Sequence, residues 1–327
     1  MLKATAVALA TTFLAVPVAH ELRLGLEADT QLTRSFEAEG AIELNFAQLV
    51  DGEEQETDAP TIDIESSRTM VIVDRIEAVT DGAPTRILRE YRDMTYERVV
   101  DLPEETIDEA LTSPLEGESV VFRWDADDDS WSAELPPDSD SDLDQETLDD
   151  LRADLDLVGL LPDDEVEVGD SWDVGLELYL SLNWVGGLIP WNGEDDEQDP
   201  AQLDAARQDF ANAEAEGTAT LTSVDEDRAI IHISLEGSTW SEVELDIEVE
   251  PDSPVDSVRR ESTTEVAMDI EVTWDLTLGR WTHFEISDVT TGVSDEIVRL
   301  TGPDGQELEL TQRRTFASDV EITATNE

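Results

Sequence analysis

Residues 160–184 read LLPDDEVEVGDSWDVGLELYLSLNW. From Trp172 onward Trp172, Val174, Leu176, Leu178, Leu180, Leu182 and Trp184 are apolar, and Asp173, Gly175, Glu177, Tyr179, Ser181 and Asn183 fall between them. Alternation at a period of two predicts one long strand with an apolar face and a wet face. Pro162 stops what precedes it, and Gly169-Asp170 supplies the turn that feeds the strand. The rest of the chain is then expected to furnish strands and helices that cover this apolar face.

Working outward toward the N-terminus, residues 22–46 alternate in the same way and predict two or three strands, broken near Asp29-Thr30 and Glu39-Gly40. An acidic loop opens at Asp51-Gly52. It leads to a strand pair carrying Ile62, Ile64, Met70, Ile72 and Ile76, interrupted at Ser66-Ser67. After a turn at Asp81-Gly82, residues 85–100 hold Arg86, Arg89, Arg92 and Arg98, which predict cross-strand ion pairs on a wet face. Residues 103–111 read as a short helix with Pro103 at its first position and Ile107, Ala110 and Leu111 inward. The run VVFRWDADDDSWSAEL reads as a hairpin whose acidic turn is flanked by Trp124 and Trp131. Leu148, Leu151, Leu155 and Val158 predict a second helix, with Asp142 and Gln145 as its capping box and Gly159 at its end.

Toward the C-terminus, VGGLIPWNGEDDEQD is an apolar loop running into an acidic one. A third helix starts at Asp199-Pro200, shows Leu203, Ala206, Phe210 and Ala213 at helical spacing, and ends before Gly217. Strands follow at 218–223, 229–235, 243–249, 264–278, 280–289 and 307–322, and Val266, Met268, Ile270, Val272 and Trp274 repeat the alternation of the opening stretch. The expected fold is mainly β, of the α+β kind. It is a large curved antiparallel sheet or half-barrel of roughly twelve strands with about three short covering helices. It forms a single domain over 20–327, with a seam near residue 160.

Residues 1–19 carry Lys3 and then an uncharged run, the pattern of a secretory signal peptide cut near Ala19. Without them the chain has 18 Arg against 82 Asp and Glu, a formal charge of −64. Such a surface repels nucleic acid and anionic lipid. The hydrophobic fraction of 39% and the eight Trp argue for a real core rather than a disordered acidic chain. An excess of acid with Lys removed resembles proteins adapted to concentrated salt, which screens the carboxylates. There is no Cys, so there is no disulfide framework and no thiol chemistry.

No catalytic residue, metal ligand or cofactor follows from the motifs. A serine triad needs His, and His232 and His283 lie on the polar parity of their strands. Asp125, Asp127 and Asp129, and the series Asp138, Asp140, Asp142 and Asp144, are spaced like calcium ligands but lack the Gly at the sixth place of such a loop, so they read as a solvated turn and a helix cap. Cleavage after Ala19 would leave His20 amino-terminal, as in copper sites built on such a residue, but no second His is placed beside it. Trp172, Trp184 and Trp274 share the apolar parity and read as core. The loop after the opening stretch supplies the candidate ligand-binding residues: Trp184, Leu188, Ile189 and Trp191, on a backbone loosened by Gly186-Gly187.

Leu161-Pro162 with Val166-Glu167-Val168-Gly169-Asp170-Ser171-Trp172 resembles a Val-x-Val-Gly-Asp-x-Trp hallmark of uncharacterised exported bacterial β-rich proteins. The layout is similar to the LolA-like periplasmic lipoprotein carriers, which implies a curved antiparallel sheet lidded by short helices over an apolar groove. Together these readings describe a soluble, periplasmic or extracellular protein without a membrane span once the signal is removed. It is expected to be no enzyme but a binding or carrier module for an apolar ligand or lipoprotein. The alternatives are a structural or partner-binding envelope protein and a secreted carboxylate-based hydrolase.

Overall fold

The computed structural model describes residues 19–50, 52–55, 60–80, 82–192, 200–245, 255–301 and 307–327. Seven strands come first: β1 (Gln31–Val50), β2 (Glu53–Gln55), β3 (Ile62–Thr80), β4 (Ala83–Asp101), β5 (Thr106–Leu111), β6 (Ser119–Asp125) and β7 (Ser130–Glu134). A one-turn helix α1 (Gln145–Asp149) and a 3-10 turn (Val158–Leu160) lead to β8 (Ser171–Gly175), α2 (Leu176–Asn183) and α3 (Pro200–Ala211). The chain finishes with β9 (Glu214–Asp225), β10 (Arg228–Glu244), β11 (Val255–Asp275), β12 (Arg280–Thr301) and β13 (Glu307–Asn326).

All the strands belong to one 13-stranded antiparallel sheet in the order β7-β6-β4-β3-β1-β13-β12-β11-β10-β9-β8, with β2 beside β1 and β5 beside β4. The first and last long strands pair in the middle of the sheet, from Arg34 opposite Asn326 to Val50 opposite Leu310. A meander whose first and last strands pair has the connectivity of an up-and-down barrel. Here the ring stays open, because β7 and β8, consecutive in sequence, form its two opposite edges. The chain between them, residues 135–170, must therefore cross from one edge to the other, and that crossing covers the inner face.

The crossing reaches only one end of the sheet; toward the other end α3 lies on β10, where Thr239, Ser241 and Val243 are buried, and leaves β1 and β3 uncovered. Under the crossing the inward side chains Leu32 and Phe36 of β1, Ile72 of β3, Ile270 of β11 and Trp281 of β12 are buried beneath Leu148, Leu151, Leu155 and Leu160 of the crossing and Leu178 and Leu182 of α2. At the other end the same parity of β1 and β3 continues through Ile42, Leu44, Phe46, Ile62 and Ile64, all only half-buried. The outer face carries exposed carboxylates at Glu37, Glu39, Glu43, Asp63, Glu65, Glu97, Asp319 and Glu321. A strand crossing a bilayer needs an apolar outer band; this face is a water face. Among the described residues no helix is long and apolar enough to cross a membrane.

The stretch that opened the reading is not one long strand. It is the five-residue β8 followed by the eight-residue α2, which buries Leu178, Tyr179, Ser181 and Leu182 and leaves Leu176 42% exposed. LELYLSLN contains no β-branched residue, and its Leu and Glu are good helix formers, so an alternating pattern did not make a strand. Tyr179 lies flat on β10 at Gly237, where a Cβ would meet its ring at 2.3 Å.

Other expectations are also corrected. Residues 103–111 hold a strand, β5, because β6 pairs only with Arg86–Glu90 of β4 and the rest of that strand, Tyr96–Asp101, takes β5 as partner, with Arg98 bonded to Glu109. The second helix shrinks to α1, capped by Asp144, which accepts from the Thr147 amide at 2.7 Å, and not by Asp142. Leu151 and Leu155 are buried from an extended backbone, while Val158 is 42% exposed. No break occurs at Gly40 or Ser66-Ser67; β1 and β3 run through both. The strand at 229–235 and the start of the one at 243–249 join as β10, which ends at Glu244; residues 246–249 lie outside the described residues. The hairpin at Trp124 and Trp131 stands as read, while the third helix runs only from Pro200 to Ala211, so that Ala213 falls beyond its end and β9 begins at Glu214.

Candidate functional site

Four charged side chains fasten the crossing to the sheet. Arg34, Asp74 and Arg89 sit on the inward parity of β1, β3 and β4, each fully buried, and Asp156 comes from the crossing. Arg89 was expected on a wet face; instead its Nε donates to Asp74 Oδ1 at 2.7 Å and its Nη2 to Asp74 Oδ2 at 2.9 Å. Its remaining donors reach the carbonyls of Arg152 at 2.7 Å and Ala153 at 2.8 Å. Arg34 bridges Asp74 and Asp156. The cluster is neutral overall, a condition under which buried charge is tolerated, although the buried Arg34 Nε has no hydrogen-bond partner among the described residues. Burial works against the Arg89 charge, but Asp74 outweighs it and holds the guanidinium above its ordinary range. Burial pushes the Asp156 carboxyl up, with Arg34 opposing. Trp281 adds a further clamp, donating from Nε1 to the Leu155 carbonyl at 2.7 Å.

The clamped segment lies across the open seam between the sheet edges, with a cavity on each side. The first, of about 400 Å³, is walled by Leu24, Pro84, Ile87, Trp124, Trp131 and Val158, and has Asp154, Asp156 and Glu177 at its rim. Trp124 and Trp131 face each other across β6 and β7, their rings edge to face at 5.6 Å. Asp154 accepts from the Ser181 hydroxyl at 3.1 Å and from the Asp156 amide at 2.8 Å. Glu177 lies one turn before Ser181 on α2, and its carboxylate makes no hydrogen bond or ion pair among the described residues; burial pushes that carboxyl up, the Asp154 charge adds to this, and Arg152 opposes. Arg152 in turn lies over the Phe210 ring at 5.1 Å.

The second cavity, of about 410 Å³, is bounded by Trp131, Asp150, Arg152, Leu188, Arg207 and Phe210. Here Arg207 bonds Asp150 at 2.8 Å and also reaches Glu146, while the Arg152 guanidinium is in no ion pair among the described residues. Two larger hollows, of about 670 and 770 Å³, are open troughs in the acidic outer face, lined by exposed carboxylates such as Glu39, Glu65 and Glu236. The first cavity combines apolar walls, paired indoles and unmatched polar groups, the usual composition of a ligand site.

The four residues read from sequence as ligand contacts are in the loop beside this site and do not line its cavity. Trp184 is wedged between Tyr179 at 5.8 Å and Phe210 at 5.4 Å. Leu188 borders the second cavity, Ile189 packs on the core, and Trp191 meets Tyr96 edge-on at 5.6 Å. The loop is stitched down by backbone bonds: Leu188 donates to Asp150 at 3.0 Å, Arg152 to Gly186 at 2.9 Å and Asn192 to Thr112 at 2.8 Å. Gly187, at φ +102°, permits this approach, for a Cβ there would stand 2.3 Å from the Asp150 carbonyl.

The remaining motif residues find structural tasks. In the hallmark, Gly169 takes φ 99°, the Asp170 carboxylate accepts from the Glu167 amide at 2.9 Å, and Trp172 donates to the Leu160 carbonyl at 2.8 Å, so the motif shapes the turn into β8. His20 bridges Val166 through its backbone, His232 faces Asp269 at 3.0 Å, and His283 faces Glu285 at 3.2 Å. Asp125 closes the hairpin turn by accepting from the Asp127 amide at 2.9 Å.

No protein-family model matches the chain, and no curated protein matches it. Among solved structures it has likenesses to the InvG secretin domain β-barrel from the Salmonella SPI-1 injectisome (6% identity, TM-score 0.17, 91% of this chain and 63% of that one) and to OmpT, an outer membrane protein of Vibrio cholerae (11%, 0.19, 92% and 99%). A Pseudomonas aeruginosa FadL homologue gives 9% identity and a TM-score of 0.20 over 91% of this chain and 90% of that one. The chain thus spans less than two thirds of the length of the secretin barrel. Likenesses at this level fix neither family nor activity.

Proposed function

We propose that this chain is an exported binding module that holds a small apolar ligand in the cavity at the open seam. The observation that carries the reading is that cavity itself: about 400 Å³, within the usual range for small-molecule sites, and walled by Trp124, Trp131, Leu24 and Ile87 where the sheet fails to close. The buried ionic cluster supports it by holding residues 152–156 rigid, and a preformed site loses less entropy on binding. The signal-like residues 1–19 support export to the periplasm or beyond, and the resemblance to LolA-like carriers supports an apolar cargo under a curved sheet. The volume suits one small molecule better than a lipoprotein.

The test is uptake of a neutral fluorescent probe such as phenylnaphthylamine by the full chain in molar salt. Val158 is half in solvent and borders the cavity, so Val158→Trp should fill it without disturbing the core. Probe binding that is lost in this variant at an unchanged thermal midpoint is the expected result; binding unaffected by the filled cavity would move the site elsewhere.

One observation favours a second reading, a secreted carboxylate-based hydrolase: Glu177 is pushed up beside Asp154, and two carboxyls in unlike environments are what acid-base hydrolysis uses. Turnover of an aryl glycoside panel, abolished by Glu177→Gln, would establish it; no turnover leaves the binding reading alone.

A further inference from the structure

We propose that the seam cavity takes an organic cation, a quaternary ammonium or alkylated amine, with its charged head between the Trp124 and Trp131 rings and the Asp154 and Glu177 carboxylates. This rests on the reading of that cavity as a ligand site and adds the charge of the ligand to it.

Three carboxylates stand at the rim and they are not equally matched. Of the three carboxylates there, Asp156 is matched by Arg34. Asp154 receives only neutral donors, the Ser181 hydroxyl and the Asp156 amide, and Glu177 receives none among the described residues. Arg152 is the one cation close enough to act on both, and its guanidinium is turned over Phe210 instead, with no carboxylate within ion-pair reach among the described residues. The Asp154 and Glu177 carboxylates at the rim are therefore without an ion-pair partner among the described residues. An anionic ligand is repelled there, and a neutral one leaves Glu177 partly desolvated without a partner.

A cation answers both needs. Indole is the best of the aromatic rings for a cation over its face, and quaternary ammonium groups, which cannot donate hydrogen bonds, are held by paired aromatic rings with a carboxylate nearby. Leu24, Pro84 and Ile87 then receive the alkyl part. A bare alkali ion fits worse, because these walls offer it carbon instead of a shell of oxygens. The field of a chain at −63 raises the local concentration of any cation at the seam.

The experiment is calorimetric titration of the full chain, at one fixed salt concentration, with choline and with dimethylbutanol, its uncharged isostere. Choline is expected to bind at least about tenfold more tightly, the size of a desolvated cation–π contact. Glu177→Gln should weaken choline by about tenfold and leave the isostere unchanged. Because the Glu177 carboxylate makes no hydrogen bond or ion pair among the described residues and the residue is exposed, the thermal midpoint of that variant should stay where it was. Trp131→Leu, which keeps an apolar wall, should also weaken choline more than the isostere. Choline affinity should rise with pH as Glu177 ionises, and this slope should vanish in Glu177→Gln. Equal binding of the two ligands would overturn the cation while leaving the site; binding of neither would overturn both.

Discussion

Phe36 and Phe46 lie ten residues apart on the same strand, the same face and the same alternation, yet Phe36 is 6% exposed and Phe46 is only half-buried. Around Phe36 the inner face is aromatic and interlocked, with Trp281 and Phe284 each 6.2 Å away. Around Phe46 it is mixed: Arg314 stands over the ring at 5.9 Å and bonds Glu296 at 3.3 Å, and Ser262 meets Ser294 at 3.0 Å. A period of two states which side chains share a face. Whether that face is covered depends on the residue 135–170 crossing, which passes over one end only. The covered end is held by side-chain packing, and the bare end by its backbone ladder and partly wet ion pairs.

The largest effect expected is that of salt, and it should fall hardest on the bare end. There the outer face sets like charges directly opposite one another: Glu39 faces Glu321, and Glu43, Asp63 and Asp101 form a row across three strands. Like pairs in register destabilise a sheet. Raising sodium chloride from about 0.1 M to about 1 M shortens the screening length from about 10 Å to about 3 Å. The thermal midpoint should climb by on the order of 10 °C or more, and hydrogen exchange at low salt should show the amides of 37–47 opening before those of 31–36. A midpoint indifferent to salt would remove the adaptation argument, and uniform exchange would erase the distinction between the ends.

The next contrast is between ion pairs. Asp74→Ala leaves Arg34 and Arg89 buried without their shared carboxylate and should cost about 3–5 kcal/mol. Glu296→Ala removes the partner of Arg314 and Arg260 at the bare end, where water replaces it, and should cost about 1 kcal/mol or less. Denaturant unfolding in molar salt measures both, and equal losses would mean that the bare end is not wet. Phe36→Ala and Phe46→Ala sharpen the same point with apolar side chains: about 3–5 kcal/mol for the first and about 1 kcal/mol for the second.

The alternation of the strands was enough to read an antiparallel sheet, and a charged residue at an inward parity, as at Arg34 between Leu32 and Phe36, was a legible sign of the buried cluster. The exchange of strand for helix at Leu176 was not legible by period, because four leucines two apart satisfy a strand and also place Leu178 and Leu182 one helical turn apart. The lengths of β1 and β3 were missed for a different reason. Gly40 and Ser66 look like breaks, but they lie side by side in register, and a Cβ on Gly40 would stand 3.1 Å from the Val320 side chain. The site itself was the least legible part. Leu24, Trp124, Trp131, Asp154 and Glu177 share no spacing; they meet only because β7 and β8 end at opposite edges and the chain must span the gap.

The smallest effect expected comes from Asp288, a carboxyl on the inward parity of β12 at the start of the bare end, 7% exposed. Burial pushes it above the ordinary carboxylate range; the Thr290 hydroxyl, donating at 2.8 Å, pulls it back, and Asp319 pushes it further up. A carboxyl whose folded value is raised disfavours the folded state once it ionises, so its contribution improves as pH falls through the folded value and levels off below the unfolded one. Asp288→Asn removes that ionisation and keeps an acceptor for Thr290. The variant should therefore be slightly more stable than the parent near neutral pH, and the advantage should shrink to nothing as the pH falls to about 4. Thermal midpoints of both proteins across that range, at one salt concentration, decide the matter. A variant less stable at neutral pH would mean that the Thr290 bond to an ionised Asp288 outweighs its burial, and the bare end would then begin further along the strand than Asp288.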